Sequence, residues 1–516
     1  MLGGNRRRRI ISAVTAAPFP TGRRHSIAII GAGVAGLAAA YLLRDAGIDV
    51  LVLEGSPRLG GKLGVSEVGG IAVDFGAEAL LARRPEGTGL IRDLGLTGQL
   101  EVPGTTSAGI WTRGSIRPLP RRQFMGVPAD LDELSATGIV SASGLARARD
   151  DLTMPDDDPG KDVSVTSRVG GRLGAEVVDR LVEPLLGGVY AGRCEDLSFE
   201  ATLAPLARAL RGRRSLMEAA ASISPARPAA ATPGAAGPAA APSGSVSPAA
   251  GLPGSAQSAA ASAPVFTTLT GGLGTLPAAL AAASGATVRV SAMVRELTRT
   301  PAGWRLTVGS AHAPEAVEVD AVILAVPARP ASRLLAGAAP QASAALAEVS
   351  YASMAVITLA YPAAAFPGPV AGSGFLVPAV DGRTVKAATF STVKWPHLRR
   401  ADPDLHIVRC SVGRFGDDAV LQREDDELAS MAAADLSAAT GVSGPPADSR
   451  VSRWGGGLPQ YSVGHLDRVA RIRAAVAAQP GLAVCGAAYD GVGIPACIAT
   501  AKQAADQVLA YLRAHA

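Results

Sequence analysis

Six residues, Gly31-Ala32-Gly33-Val34-Ala35-Gly36, place three glycines at the spacing that lets main chain meet a phosphate. Gly31 permits a tight turn, Gly33 lets a pyrophosphate approach the backbone, and Gly36 lets a helix pack closely on a strand. Glycine-rich turns are common, so context decides. Ile27, Ile29 and Ile30 open an apolar strand before the glycines, and Leu37, Ala40, Tyr41 and Leu43 follow at helical spacing. Val50, Val52 and Leu53 form a second strand, which closes on Glu54. The stretch 26–56 is therefore a strand–turn–helix–strand unit of the expected size. Its helix start offers free N–H groups to phosphates, and Glu54 stands where a carboxylate accepts from a ribose hydroxyl. These features predict a dinucleotide site. Directly after it, "GSPRLGGKLG" brings Gly55, Arg58 and Gly60-Gly61-Lys62 to where a second loop can cross the same pyrophosphate. A solvated glycine turn is the alternative for that loop.

The elements that must hold this site come from distant parts of the chain. A short strand and a hairpin are expected over 286–309, a buried strand over 317–328, and another over 481–489 that runs into the helix of "GVGIPACIATAKQAADQVLAYL". Pro495 suits the first turn of that helix. A nucleotide-binding lobe is thus assembled from 26–100, 265–335 and 450–516, with a second lobe inserted into it. The inserted lobe takes a mostly helical part from 101–220 and a more strand-like part from 336–449.

Composition bounds the rest. At 516 residues, with 48% apolar and 18% charged side chains, the chain can bury more than one core. The net charge of +5 lies mainly in the leader, residues 1–25, and lacks aromatic interleaving, which argues against nucleic acid. That leader is expected to be disordered. So is the Ala/Pro/Ser/Gly insertion at 221–264, whose composition buries too little to offset its ordering entropy. Prolines and glycines recur through the uncharged stretch 228–288, so no membrane span is expected and membrane contact is peripheral at most. Cysteines 194, 410, 485 and 497 show no metal spacing and no disulfide framework, so a reduced, cytoplasmic protein without bound metal is expected.

Four segments carry a family resemblance. The E-x-x-x-R-x-G-G-K pattern from Glu54 to Lys62 is similar to that of the amine oxidase, phytoene desaturase and protoporphyrinogen oxidase flavoproteins. "VEPLLGGVYAGRCEDLSFEATLAPL" (182–206), "RWGGGLPQYSVGHLDRV" (453–469) and "GVGIPACIATAKQAADQVL" resemble segments of the protoporphyrinogen and coproporphyrinogen oxidases, in particular the Gram-positive type. The resemblance spans 26–512 apart from the insertion. The chain departs from the amine oxidases at Thr500-Ala501, where they carry Ser-Gly.

The resemblance implies an α/β fold: an FAD-binding, Rossmann-like lobe of the p-hydroxybenzoate-hydroxylase/monoamine-oxidase type with an inserted α+β substrate lobe. It implies non-covalent FAD. Besides the residues above, the segment Gly76-Ala77-Glu78-Ala79 would pass the flavin ring, and Val294, Trp454, Val492, Gly493 and Ile494 would complete the site. The implied activity is oxidation of coproporphyrinogen III to coproporphyrin III in heme biosynthesis, with dioxygen as acceptor and hydrogen peroxide as product. Protoporphyrinogen IX is the alternative substrate, and a flavin amine oxidase or a non-catalytic flavin-binding protein is a further alternative. A ferrochelatase would act downstream. Arg84, then Arg117, Arg168, Arg193 and Lys394, are candidates to meet substrate propionates, since a guanidinium suits a carboxylate. No catalytic side chain is nominated, because the cofactor carries the redox chemistry. His465 is expected to be structural, and Cys497 a small core thiol.

Overall fold

Five parallel strands drawn from four separated stretches make the sheet that carries the glycine turn. In a computed structural model describing residues 24–155, 160–224 and 264–515, they lie in the order Thr287–Arg289, Asp49–Leu53, Ser26–Ile30, Ala321–Leu324 and Leu482–Val484. The basic leader through residue 23 and residues 225–263 of the insertion expected over 221–264 lie outside the described residues; its first residues, 221–223, instead close helix Leu216–Ile223.

Both faces of this sheet are covered, which is why its strands are almost wholly apolar. Ile27, Ile29, Val50 and Val52 point into a core shared with helices Val34–Leu43, Leu276–Ser284 and Ile494–Ala514. Ala28, Ile30, Leu53, Val322 and Leu324 alternate to the other face. That face packs on an antiparallel meander (Val294–Thr300, Gly303–Ser310, Ala313–Val319) and on helices Ala328–Leu335, Pro340–Ala347 and His465–Ala477.

The single strand expected over 317–328 is two strands. The meander strand ends at Val319 and the parallel strand begins at Ala321. Between them the Asp320 carboxylate accepts from the Ser26 N–H (2.7 Å) and hydroxyl (2.9 Å), so the chain turns where one acid pins the first strand.

A second sheet has seven strands, ordered Asp448–Pro459, Tyr351–Pro362, Leu405–Val412, Val385–Phe390, Gly374–Leu376, Gly109–Thr112 and Ser115–Pro118. Helix Asp425–Thr440 packs on one of its faces. Three of its strands, in two stretches, fall outside the segments from which it was expected. Strands 109–118 come from the block expected to be mostly helical, and 448–459 runs past the expected boundary at 450. The second is an edge strand rich in Ser, Arg and Gly, whose pairing with Tyr351–Pro362 carries no apolar period. The remainder of the block 131–223 is helical and forms its own core. Among the described residues, no helix is long and apolar enough to cross a membrane.

Gly36 illustrates how tightly helix and strand meet. A Cβ there would stand 1.9 Å from the Gly31 carbonyl oxygen, which is main chain and cannot swing away. Gly36→Ala is expected to lose about 1–3 kcal/mol of stability, read from thermal unfolding. Unchanged unfolding would contradict the packing described.

Candidate functional site

A cavity of about 470 Å³ lies where the two sheets meet, and the glycine turn forms one end of it. The Gly31 N–H donates to Leu53 O (2.8 Å), and its φ of 104° is one that only glycine holds without strain. Helix Val34–Leu43 starts without a side-chain cap or an acidic first turn. Its first N–H groups therefore stay free beside the cavity. A Cβ on Gly33 would find nothing within 4 Å, so the main chain lies open there. The second loop crosses this turn: Gly60 N–H donates to Ala32 O (2.9 Å), and a Cβ on Gly61 would come within 3.2 Å of Gly33 Cα. Glu54 accepts from the Ala32 and Ser56 N–H groups, both at 2.8 Å, which holds its carboxylate at the cavity edge. Lys62 lines the cavity too. Burial lowers its pKa, the nearby Cys497 thiol opposes that shift, and its Nζ makes no hydrogen bond or ion pair among the described residues.

The middle of the cavity is set by an aromatic step. A bulge in which Gly455, Gly456 and Gly457 stand opposite Ser353 alone sits beside Met354 and its cross-strand partner Trp454, and both line the cavity. Trp454 stacks on Phe75 with centroids 5.8 Å apart and donates from Nε1 to Phe75 O (3.2 Å). The Arg58 guanidinium lies 5.1 Å and 5.8 Å from the two ring centroids. It also donates to the carbonyls of Leu59, Gly61 and Leu63. Arg58 thus shapes the second loop from behind. Gly76 must be glycine, since a Cβ would stand 2.0 Å from Lys62 O. Val189, Met354, Val356 and Leu458 supply apolar walls, and among the described residues that line the cavity Tyr351 alone bears a hydroxyl, which accepts from Ala328 N–H (2.8 Å).

Of the residues expected at the cofactor, Gly31, Gly33, Val34, Ala35, Glu54, Lys62, Gly76, Ala77, Trp454, Val492 and Ile494 line this cavity. Ala32, Gly36, Gly55, Arg58, Ala79 and Gly493 do not line it; the first four support its walls, and Gly493 is exposed at the cap of the last helix. Two expectations need correction. Val294 is buried in the core beneath the meander, because the strand it opens packs against the sheet's other face. Glu78 turns away from the cavity, drawn by Lys394 Nζ (2.7 Å) and by Arg409, which also donates to Gly76 O (2.5 Å). The two cations hold its carboxyl far below the usual range against the cost of burial.

The arginines nominated for substrate are dispersed. Arg84 is exposed and paired with Glu86 (2.7 Å), and Lys394 is committed to Glu78. Arg117 lies on the outer edge strand of the seven-stranded sheet, and Arg168 is buried in Thr166–Gly170. Arg193 lines a different, polar cleft. Arg84 and Arg193 pair with acids two residues on, whereas Lys394 is drawn to Glu78 across the fold, so residue type alone does not fix where these cations point.

Comparison with known proteins fits this geometry. Residues 34–509 match the flavin containing amine oxidoreductase family. The chain belongs to the flavin containing amine oxidoreductases. Within curated relatives it is 35% identical over 495 residues to the coproporphyrinogen III oxidase of Mycobacterium tuberculosis strain H37Rv, covering 95% of this chain and 98% of that one. It is 29% identical to the coproporphyrinogen III oxidase of Bacillus subtilis strain 168, covering 95% and 99%. Bovine protoporphyrinogen oxidase is also 29% identical, with coverage of 94% and 98%. In fold, the chain is similar to a crystal structure from Exiguobacterium provisionally described as a protoporphyrinogen oxidase, with a TM-score of 0.78, 29% identity, and coverage of 95% and 100%.

A flavin oxidoreductase needs a phosphate cradle and a place for the ring, and the residues present fit both. The open main chain at Gly33, the free helix start and the unpaired Lys62 suit a pyrophosphate. The second helix start, at Ile494, faces the same cavity. There Pro495 has no N–H to give, and the Ile494 and Ala496 N–H groups precede the first intrahelical bond, Cys497 N to Gly493 O (3.0 Å). Positive helix ends thus approach the cavity from two directions.

The turn before that helix is held from outside by two side chains from "PQYSVGH". The Tyr461 hydroxyl donates to Ala487 O and accepts from Gly491 N–H, both at 2.7 Å. His465 stacks on Tyr461 at 3.7 Å and donates from Nε2 to Tyr489 O (2.8 Å). The histidine is structural, as its motif position suggested, and burial pushes its pKa down to about 4. Thr500, where this chain departs from the amine oxidases, accepts from Gly486 N–H (3.0 Å).

Two outcomes follow from these groups. Glu78→Gln leaves two largely buried cations without their anion, and is expected to cost about 3–5 kcal/mol in thermal or urea unfolding. For His465 the unfolded chain binds the proton more readily than the folded one. Stability held by the neutral ring is complete above the ordinary histidine pKa, near 6.5, and is lost as pH falls toward 4. Burial raises Asp74 to about 6, and this acts in the opposite sense over part of that window. The comparison must therefore be with His465→Gln, which is expected to be less stable than wild type at pH 7 and to lose less on acidification to pH 5.

Proposed function

We propose that the chain binds FAD non-covalently and oxidises a porphyrinogen to a porphyrin, with coproporphyrinogen III as substrate. The observation that carries this reading is the apolar wall that Val189, Met354, Val356 and Leu458 give the cavity lined by the glycine turn. Such walls suit a broad macrocycle with an apolar pyrrole framework. A cationic amine would find only one carboxylate lining the cavity among the described residues, Glu54, and that one is bonded to backbone. The curated relatives named coproporphyrinogen III oxidase match nearly the whole chain. Membership of the flavin family supports the cofactor class.

When bound, the flavin supplies the redox chemistry: it takes up two electrons as hydride and passes them to dioxygen. Removal of six electrons and six protons then consumes three dioxygen molecules and yields three of hydrogen peroxide. The protein's share is to exclude water and orient the ring. The helix start at Ile494 favours negative charge near the cavity, and the positive main-chain groups at Gly33 hold phosphate. No side-chain base is required, because pyrrole N–H protons can leave through solvent. Cys497 lies in the wall but burial raises its thiol to about 11, so at neutral pH it remains protonated, which favours a flavin held without a covalent bond. Absence of a membrane-crossing helix among the described residues is compatible with action in the cytoplasm.

The purified flavoprotein is expected to lose its flavin absorbance when mixed anaerobically with coproporphyrinogen III. On admission of oxygen it should form the fluorescent porphyrin with about three equivalents of hydrogen peroxide. Bleaching by a primary amine and by neither coproporphyrinogen nor protoporphyrinogen would refute the reading.

A further inference from the structure

A second cleft, of about 550 Å³, opens beside the flavin cavity on the inserted lobe. The two share one wall, helix Glu183–Tyr190: Gly187 faces the cleft, while Gly188 and Val189 face the cavity. Bare main chain marks the divide. A Cβ on Gly187 would meet nothing within 4 Å, and one on Gly188 would meet only Leu376 Cδ2 at 3.6 Å.

Lys386 is the unusual member of this cleft. It is the extra residue of a β-bulge, between Val385, which pairs with Val412, and Ala387, which pairs with Ser411. A bulge re-aims its extra side chain. The lysine is only 5% exposed, and its Nζ is buried with no hydrogen-bond partner among the described residues. Burial and the neighbouring Arg414 push its pKa down to about 7. A buried, unpaired amine costs stability, so its presence calls for a partner absent from the free protein.

Three arginines, Arg193, Arg383 and Arg414, line the cleft with it. Arg414 touches carbonyl oxygens of Val377 (3.2 Å) and Arg383 (3.4 Å) and makes no ion pair among the described residues. Arg383 lies over Trp111, 3.8 Å from Asp435. Arg193 holds Glu195 at 3.3 Å. The remaining acids of the cleft are Glu183, whose pKa burial raises, and Asp417. Through Ser411, Val356 in the cavity wall lies two strands from Ala387, or about 10 Å. The cleft is thus within reach of a ring system seated in the cavity.

We propose that Lys386 and Arg414 bind the carboxylates of the porphyrinogen that point away from the flavin, and so select the substrate that has carboxylates on all four pyrroles. This rests on the porphyrinogen reading. Protoporphyrinogen IX has vinyl groups in place of two of those four carboxylate arms and would leave the lysine unpartnered. Lys386 is a specificity residue here, with no part in the redox step.

The test is Lys386→Met in the flavin-loaded enzyme, with Lys386→Arg beside it. For Lys386→Met, KM for coproporphyrinogen III should rise ~10- to 100-fold, while kcat and flavin content hold. KM for protoporphyrinogen IX should move by less than about threefold. Thermal stability should stay level or rise, since a buried unpaired amine is removed, and Lys386→Arg should restore most of the affinity. Binding of the product coproporphyrin III, followed by fluorescence, should weaken in parallel. An unchanged KM, equal changes for both substrates, or a loss of stability that accompanies any change would overturn the proposal. Wild-type protein that oxidises neither porphyrinogen would remove the underlying reading itself, an outcome distinguishable from a variant that behaves like wild type.

Discussion

Main chain pressed against main chain, with no side chain between, is the constraint on which this molecule depends. Gly33 lies under Gly61, Gly36 lies against Gly31, and Gly76 lies against Lys62 O. Each approach is possible only because a Cβ is missing, and together they leave the backbone N–H groups of the first helix open toward the cavity. Side chains could hold phosphate by charge. Backbone does so at fixed geometry and adds no rotamer entropy. The rest of the fold serves to keep these loops in register: Leu53 O holds Gly31, Glu54 holds Ala32, and Arg58 braces the second loop from the side of Phe75 and Trp454.

The cavity wall opposite is made by residues that only the second sheet brings near. A bulge at Ala352–Met354 sits beside Met354 and Trp454, which line the cavity, and a second bulge puts Lys386 into the neighbouring cleft. One kind of device, extra residues in an antiparallel pair, two beside Trp454 and one at Lys386, therefore accompanies both an apolar and a cationic surface on the same sheet. Between the sheets the buried group of Glu78, Lys394 and Arg409 ties the segment after Gly76 to strands of the inserted lobe. That tie explains why an acid expected to face the cofactor faces away from it.

The C-terminal turn completes the enclosure late in the chain. Tyr461 and His465 reach it from the strand-to-helix connection of the second lobe, and Thr500 reaches it from its own helix. Within "PQYSVGH", Tyr461 and His465 thus clasp the turn through the carbonyls of Ala487 and Tyr489 and the Gly491 N–H.

Local features were legible in the residues themselves. The strand–turn–helix–strand at 26–56, the helix start at Pro495 and the crossing of a second glycine loop all follow from short-range spacing, because glycine conformations, helix caps and apolar periods act over a few residues. Membership of the second sheet by 109–118 and 448–459 was not legible, since edge strands rich in Ser, Arg and Gly show no period of two. Nor were the destinations of Val294, which the meander carries to the far face of the sheet, and of Glu78, whose partners Lys394 and Arg409 lie more than 300 positions away. Arg84 found Glu86 two residues on, whereas the Lys386 Nζ has no hydrogen-bond partner among the described residues. Sequence determined where backbone could be bare; only the packing of two sheets decided which charges face the space that backbone encloses.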